Sequence, residues 1–243
     1  MDVSDERNGA PAPHAAPRPP AAAEAVFGAR LDAAVRYADL LAADGVVRGL
    51  IGPREVGRLW ERHLLNCAVV EALIPPNATV VDVGSGAGLP GIALALARPD
   101  LSVLLVEPLE RRVQFLRECV SALELPVQVR RGRGEELVGS VRAHTVVARA
   151  VGPLDRLLPA TVPLTAPGGQ VLAIKGRRAE QELAAVRPML RRLGVSSAHI
   201  HTVGADVVYP PTRVVVVVPG SGDRTLTSTS RRVRPAASRR RRR

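Results

Sequence analysis

Val80-Val81-Asp82-Val83-Gly84-Ser85-Gly86-Ala87-Gly88-Leu89-Pro90-Gly91 decides the fold. A β-branched run ends in a glycine-rich turn, and Pro90 follows where the first turn of a helix tolerates proline. Glycines let the backbone approach a ligand closely, and a helix N-terminus offers free N–H groups. Strand, glycine loop and helix in this order predict a nucleotide-type ligand loop at the carboxyl edge of a parallel sheet.

The pattern continues outward from that loop. Thr79–Val83 reads as a strand and Leu89–Ala97 as a helix. Leu101–Val106 is a strand, and Leu109–Leu123 a helix with Leu109, Val113, Leu116, Val120 and Leu123 on one face. Val127–Arg130 and Thr145–Ala148 are strands, Leu154–Leu164 a short helix, and Pro167-Gly168-Gly169 a turn. Val171–Ile174 is a strand and Ala179–Leu193 a helix ended by Gly194. Val195–Thr202 and Arg213–Val218 close the chain as strands with no helix between them, so they pair antiparallel. Alternating strands and helices imply a parallel sheet covered on both faces. Upstream, Glu24–Ala43 carries a helical apolar stripe. A second helical run starts at Pro53 and includes Trp60, His63, Leu64 and Cys67. The expected architecture is α/β: a seven-stranded, mostly parallel sheet with an antiparallel last strand, preceded by N-terminal helices. Composition divides the chain into a disordered leader (1–22), an N-terminal helical part (23–76), the sheet domain (77–220) and a basic disordered tail (221–243).

The 243 residues are 46% hydrophobic and 23% charged, ordinary for a globular protein with one sizeable core. The start, Met1-Asp2-Val3-Ser4-Asp5-Glu6, is acidic where a signal peptide is basic, and no apolar run approaches a membrane span. A cytoplasmic protein is expected. Cys67 and Cys119 form no C-x-x-C pair, and the five histidines show no metal spacing, so no metal site is implied. The net charge of +11 is unevenly placed: residues 223–243 carry +8, residues 1–20 carry −1, and 21–222 carry only +4. Lys175 is the sole lysine.

Two ligand classes compete for the loop. Gly86-x-Gly88-x-x-Gly91 matches the dinucleotide fingerprint. Gly84-x-Gly86-x-Gly88 preceded by Asp82 matches the loop that binds S-adenosylmethionine (SAM). Asp82 favours SAM: an acid in the strand approach repels a pyrophosphate, whereas SAM carries an ammonium and a sulfonium. Glu107, ending the second strand, is placed to take both hydroxyls of a ribose. Gly134-Glu135-Glu136 follows the third strand, where an adenine edge would lie. Arg149 ends the fourth strand on the same rim, as a ligand contact or as the structural partner of an acid.

These residues resemble the glucose-inhibited division protein B family, the small-subunit rRNA guanine-N7 methyltransferases. The glycine stretch through Ile92 carries the resemblance. So do Arg62-His63-Leu64-Leu65-Asn66, Arg112-Val113-Gln114-Phe115-Leu116, Ala148-Arg149-Ala150 and Ile174-Lys175-Gly176, over about residues 24–219. The resemblance implies a Rossmann-like SAM-dependent methyltransferase with cofactor contacts at Gly84, Leu89, Gly134, Glu135 and Arg149. Gly134 stands where the family carries a small side chain, and Asn66-Cys67 stands where it often has Asp-Ser.

The implied reaction needs alignment rather than a base. Guanine N7 has a lone pair and no proton, so it attacks a methyl group in line, and positioning supplies up to roughly 7–11 kcal/mol. No catalytic acid or base is therefore expected. N7 lies in the deep, narrow groove of A-form RNA, so the target guanine must be unpaired or exposed. The implied partner is 16S rRNA or the 30S subunit, met by a monomer. Arg62, His63, Arg149 and Lys175 are the candidate RNA contacts, although His63 falls on an apolar stripe and also reads as a hydrogen-bonded core residue. Trp60 reads as a packing anchor. The rival functions are an NAD-type oxidoreductase, which lacks a Tyr-x-x-x-Lys constellation, a small-molecule methyltransferase, and a non-catalytic RNA-binding module. Arg239–Arg243 either neutralises phosphates or is an unselected extension. Truncation after residue 222 separates the two: a phosphate-binding tail makes RNA affinity fall more steeply with salt in the full chain than in the truncated one.

Overall fold

Residues 15–220 are described by this computed structural model; residues 1–14 of the expected leader and the basic tail from 221 lie outside them. Residues 15–22, expected to belong to the leader, are held by the fold. The Pro17 carbonyl accepts the Trp60 indole N–H at 2.8 Å, and helix α1 (Ala21–Phe27) already begins at Ala21. Gly28 adopts φ 46°, which ends α1 and turns the chain through Gly28–Arg30 into α2 (Leu31–Leu40). The single helix expected over Glu24–Ala43 is therefore two. Pro53–Arg58 then winds tightly as a 3-10 helix, Leu59–Leu65 loosely as a π-helix, and α3 (Asn66–Ala68) leads into a last 3-10 stretch, Val69–Leu73.

The expected alternation follows. Its elements are β1 (Thr79–Val83), α4 (Gly91–Ala97), β2 (Ser102–Glu107), α5 (Glu110–Ala122), β3 (Gln128–Arg131), β4 (Ala143–Arg149), α6 (Leu154–Thr161), β5 (Thr165–Lys175), α7 (Ala179–Ala185), α8 (Arg187–Arg192), β6 (Val195–Val203) and β7 (Thr212–Pro219). The seven strands form one sheet in the order β3-β2-β1-β4-β5-β7-β6. Strands β1 to β5 pair in parallel, and β7 runs antiparallel to both β5 and β6. The strand order reverses between β1 and β4, where α/β sheets open a crevice at their carboxyl ends. The helix expected over Ala179–Leu193 breaks at Val186, because Pro188 has no N–H to continue the ladder.

Pro167-Gly168-Gly169 does not separate an element from a strand as a turn would; β5 runs straight through it. Between the pairs Ala143↔Thr165 and Thr145↔Gln170, β4 advances two residues while β5 advances five. The excess is a bulge, with Gly168 at φ 73°. A Cβ at Gly169 would stand 2.7 Å from the His144 carbonyl oxygen and about as close to two more carbonyls. The turn-forming composition is genuine, but flanking strand pairing absorbs it.

Period-2 alternation sends strand side chains to two cores. Val80, Val103, Leu105, Val147, Leu172, Val214 and Val216 face one core, together with α1, α2, α4, α5 and the segment around Trp60. Val81, Val83, Val106, Val146, Val171, Val215 and Val217 face the other, under α6, α7 and α8. The N-terminal helices thus share a core with one face of the sheet. Trp60 is buried there edge-on to Phe27. Replacing Gly169 by Ala is expected to cost about 1–3 kcal/mol, since rigid backbone oxygens surround the site. A lower urea midpoint with an unchanged m-value is the check.

Candidate cofactor and substrate cleft

The β1–α4 loop is stitched to the end of β2. Gly84 N–H and Ser85 N–H both donate to the Val106 carbonyl, at 2.8 and 3.1 Å, and Val106 N–H donates to Ser85 Oγ at 3.0 Å. Glu107 finishes this seam. One carboxylate oxygen accepts Gly86 N–H at 3.0 Å, the other accepts Leu109 N–H at 3.1 Å, and Arg112 lies 3.8 Å away. Tyr37 closes the loop from behind by donating its hydroxyl to the Ala87 carbonyl at 2.8 Å. Nothing in the sequence marks Tyr37 for this task.

Two adjoining cavities open on this rim. The larger, about 480 Å³, is lined by Gly84, Glu107, Arg112, Gly134, Glu135 and neighbours from α6, among others. The smaller, about 250 Å³, runs from Gly84, Gly86 and Leu89 to His63 and Arg149, under Leu50 and Ile51. Gly84, Arg112 and Ala150 line both, so the two form one cleft. Seven of the nine expected cofactor residues (Gly84, Gly86, Leu89, Glu107, Gly134, Glu135 and Arg149) line it, Arg149 at the smaller end. Arg112, Ala150 and Val151 are additions that sequence reasoning did not single out for the site. Ala150 holds φ 56°, a left-handed conformation that its residue type does not advertise.

Asp82 and Gly88 are placed differently. Asp82 is fully buried and lines neither cavity. Its Oδ2 accepts Gly91 N–H at 3.0 Å, and Oδ1 has no hydrogen-bond partner. Burial pushes this carboxyl up to about 7, against the Gly91 hydrogen bond. Its side chain sits on the core face of β1, so it acts on the loop through α4 rather than by facing a ligand. A Cβ at Gly88 would meet Ile92 and the Tyr37 hydroxyl at 2.5 and 2.9 Å, so Gly88 serves packing.

The candidate RNA contacts are drawn into internal bonds to different degrees. Arg149 donates to the carbonyls of Arg62 and His63 (2.9 and 3.4 Å), to Cys67 Sγ (2.9 Å) and to His63 Nδ1 (3.0 Å). It ties the end of β4 to the π-helical stretch. Arginine only donates, so His63 Nδ1 accepts and Nε2 carries the proton, giving it to Glu55 at 2.9 Å. Burial and the Arg149 charge hold His63 below the usual histidine range. Lys175 is nearly buried, bonded to Glu182 at 2.8 Å and to the Gly152 carbonyl. That pairing keeps its ammonium off the surface, and Lys175 anchors the loop after β4. Arg62 remains half-exposed beside Glu55. Among the described residues, no group of three or more side chains is arranged to hold a metal ion, and no helix is long and apolar enough to cross a membrane.

Comparison with known proteins agrees with this geometry. The sequence pattern of the family described as rRNA small subunit methyltransferase G (GidB) matches residues 30–208. A Salinispora arenicola protein named ribosomal RNA small subunit methyltransferase G is 54% identical over 218 residues, 85% of this chain and 90% of its own length. Its namesake from Streptomyces coelicolor is 52% identical over 229 residues, 93% and 96% of the two chains. The chain belongs to the GidB family. Solved structures extend the likeness in fold alone. The mitomycin 7-O-methyltransferase MmcR has a TM-score of 0.54 at 19% identity, covering 73% of this chain and 57% of its own. A Pyrococcus furiosus methyltransferase has a TM-score of 0.52 at 15% identity, covering 63% and 80%. For a GidB methyltransferase fold, the buried Asp82 has a measurable signature. Its folded pKa lies above its unfolded value, so its stability contribution is complete below about pH 4 and is lost as pH rises through about 7. Asp82→Asn can still accept from Gly91 and is expected to flatten that fall. Tm of the ligand-free protein between pH 5 and 8 is the measurement, and a wild-type slope in the variant would contradict the assignment.

Proposed function

We propose that this chain transfers a methyl group from SAM to N7 of an unpaired guanine in the 16S rRNA of the small ribosomal subunit. One observation carries the choice of SAM over a dinucleotide. The N-terminus of α4, where a dinucleotide fold seats its pyrophosphate, is already taken by the buried Asp82 carboxylate bonded to Gly91 N–H. A second anion there would face a carboxylate in a low-dielectric site.

The cleft fits the cofactor in shape and donor set. Nothing but the Gly84 carbonyl, at 3.8 Å, lies near a Cβ built on Gly86, so the backbone there is open to close approach from the cleft. Glu107 lines the larger cavity, and both its carboxylate oxygens keep lone pairs for a pair of ribose hydroxyls. Gly134 approaches through backbone alone: a Cβ there would stand 3.0 Å from the Ala160 carbonyl oxygen and 3.1 Å from Val83. Glu135 is exposed beside it, within reach of a base edge. The methyl donor supplies an electrophilic carbon on a sulfonium. The chain's own task is to hold the smaller cavity in shape for an incoming guanine, which the Arg149–His63–Glu55 chain does. With both ring nitrogens bonded, His63 is a positioning residue. Attack by a lone pair asks no proton of it.

The family membership brings the rRNA substrate to this reading, with a cytoplasmic setting to match. The mildly basic middle of the chain suits a phosphate-rich partner. The deciding experiment incubates the protein with methyl-labelled SAM and 30S subunits lacking the modification, then maps label by N7-specific chain cleavage. One labelled guanine is expected. SAM binding without transfer would point to a small acceptor, and failure to bind SAM would revive the dinucleotide reading.

A further inference from the structure

The chain has five aromatic residues of the Phe, Tyr and Trp type. Phe27, Tyr37, Trp60 and Phe115 are at most 3% exposed, whereas Tyr209 is 94% exposed. An aromatic ring left in water forgoes the burial that stabilises the other four. Single exposed apolar residues are common, so exposure alone decides nothing. The setting of this one does.

Tyr209 stands in the connection between β6 and β7, closed by the pair Val203↔Thr212. β7 starts opposite the end of β5, at Lys175↔Arg213. The connection therefore stands on the carboxyl rim of the sheet, the rim that carries the cleft. β7 lies three strands from β1, roughly 14 Å at about 4.8 Å per strand. The base of this loop is fixed. Val208 is buried in the same core as Val203 and Val69, and Gly204 is pressed against Val69. Val207 and Val208 N–H groups both bond the Gly204 carbonyl. Thr212 exchanges two hydrogen bonds with Asn66, at 2.7 and 3.0 Å, and Asn66 closely follows Arg62 and His63 in sequence. A rigid, buried foot thus presents a solvent-facing ring.

The surroundings on this rim are cationic. Arg177 and Arg178 are exposed in the β5–α7 connection. Arg54, Arg58 and Arg62 are exposed on the segment that leads in sequence to Asn66. The acids nearby are Asp206, exposed in the loop, Glu61 and Glu55 on that segment, and Glu180, which pairs with Arg213. An exposed planar ring and exposed arginines in neighbouring connections of one rim are the arrangement that single-stranded nucleic acid uses: bases stack, and cations follow the backbone.

We propose that Tyr209 is a stacking platform for an unpaired rRNA base flanking the target guanine, with Arg177 and Arg178 on the adjacent phosphates. At three strand spacings from the glycine loop, the ring holds a neighbour in the strand and leaves the target itself free to enter the cleft. This rests on the rRNA reading above and names the surface that grips the substrate.

The test measures kcat and KM for methyl transfer to 30S subunits, with SAM affinity measured separately. Tyr209→Phe and Tyr209→Trp keep a planar ring and are expected within about twofold of wild type. Tyr209→Ala and Tyr209→Leu are expected to raise KM roughly five- to a hundredfold, the span of base–aromatic stacking, at unchanged SAM affinity and Tm. The double variant Arg177→Gln/Arg178→Gln is expected to reduce the slope of log KM against log salt by ~2. Wild-type transfer by Tyr209→Ala overturns the proposal. So does full rescue by Leu, which would mark a generic apolar contact such as a protein surface. If the wild type itself labels no rRNA, the functional reading fails and the platform fails with it; if the wild type labels and the Ala variant matches it, the platform alone fails.

Discussion

A carboxylate with no access to water holds the cleft in place. Asp82 leaves β1 on the core side and meets Gly91 nine residues later, and the eight residues between have no choice but to form a closed loop. Gly91 must be glycine for this contact, since a Cβ there would stand 2.3 Å from Leu105 and 2.8 Å from the Asp82 oxygen. Burying an acid is costly unless it is hydrogen-bonded, and only one oxygen of Asp82 is. The raised pKa records that cost. What the arrangement provides is a helix start whose first N–H is already bonded to an acid of the chain itself.

From this fixed point the remaining walls are hung by hydrogen bonds rather than by packing. Glu107 and Val106 hold the front of the loop, and Tyr37 holds its back. Arg149 then carries the geometry across the gap to the helical segment, where it spends its guanidinium on two carbonyls, a thiol and an imidazole. The N-terminal helices are thereby part of the site. They share a core with the sheet and furnish Leu50, Ile51 and His63 as one side of the smaller cavity.

Much of this was legible in the sequence, and the failures have physical causes. Strand and helix order, the antiparallel end of the sheet and the glycine loop follow from periodicity and turn chemistry, which are local. Gly28 and Pro188 break two expected helices, because an apolar stripe is a stronger sequence signal than a single breaker within it. The glycines after Pro167 read as a turn because composition cannot reveal that β4 would pair on both sides of them. Site residues divided in the same way. Glu107 and the Gly134-Glu135 pair line the cleft as expected from strand ends, which lie on the rim. Asp82 stands out in the sequence by its charge but acts through burial, a long-range property. Lys175 stood out by being unique, yet Glu182, seven residues along, neutralises it. Tyr37 and Ala150 carry no local signal, since one is helical and the other an alanine in a glycine's conformation.

The place of β7 in the sheet has a consequence for how the chain is made. It is the last described strand in sequence but lies between β5 and β6, and its run of valines packs into both cores. During synthesis from the N-terminus, the loop, Glu107 and Arg149 emerge before β5, and β5 then keeps a bare edge and β6 has no neighbour until β7 follows. The ligand side of the molecule is thus encoded early, and the strand that seals the sheet arrives last. A chain released before Thr212 keeps an open, sticky edge, and this marks it as unfinished to any quality-control system that reads exposed strands.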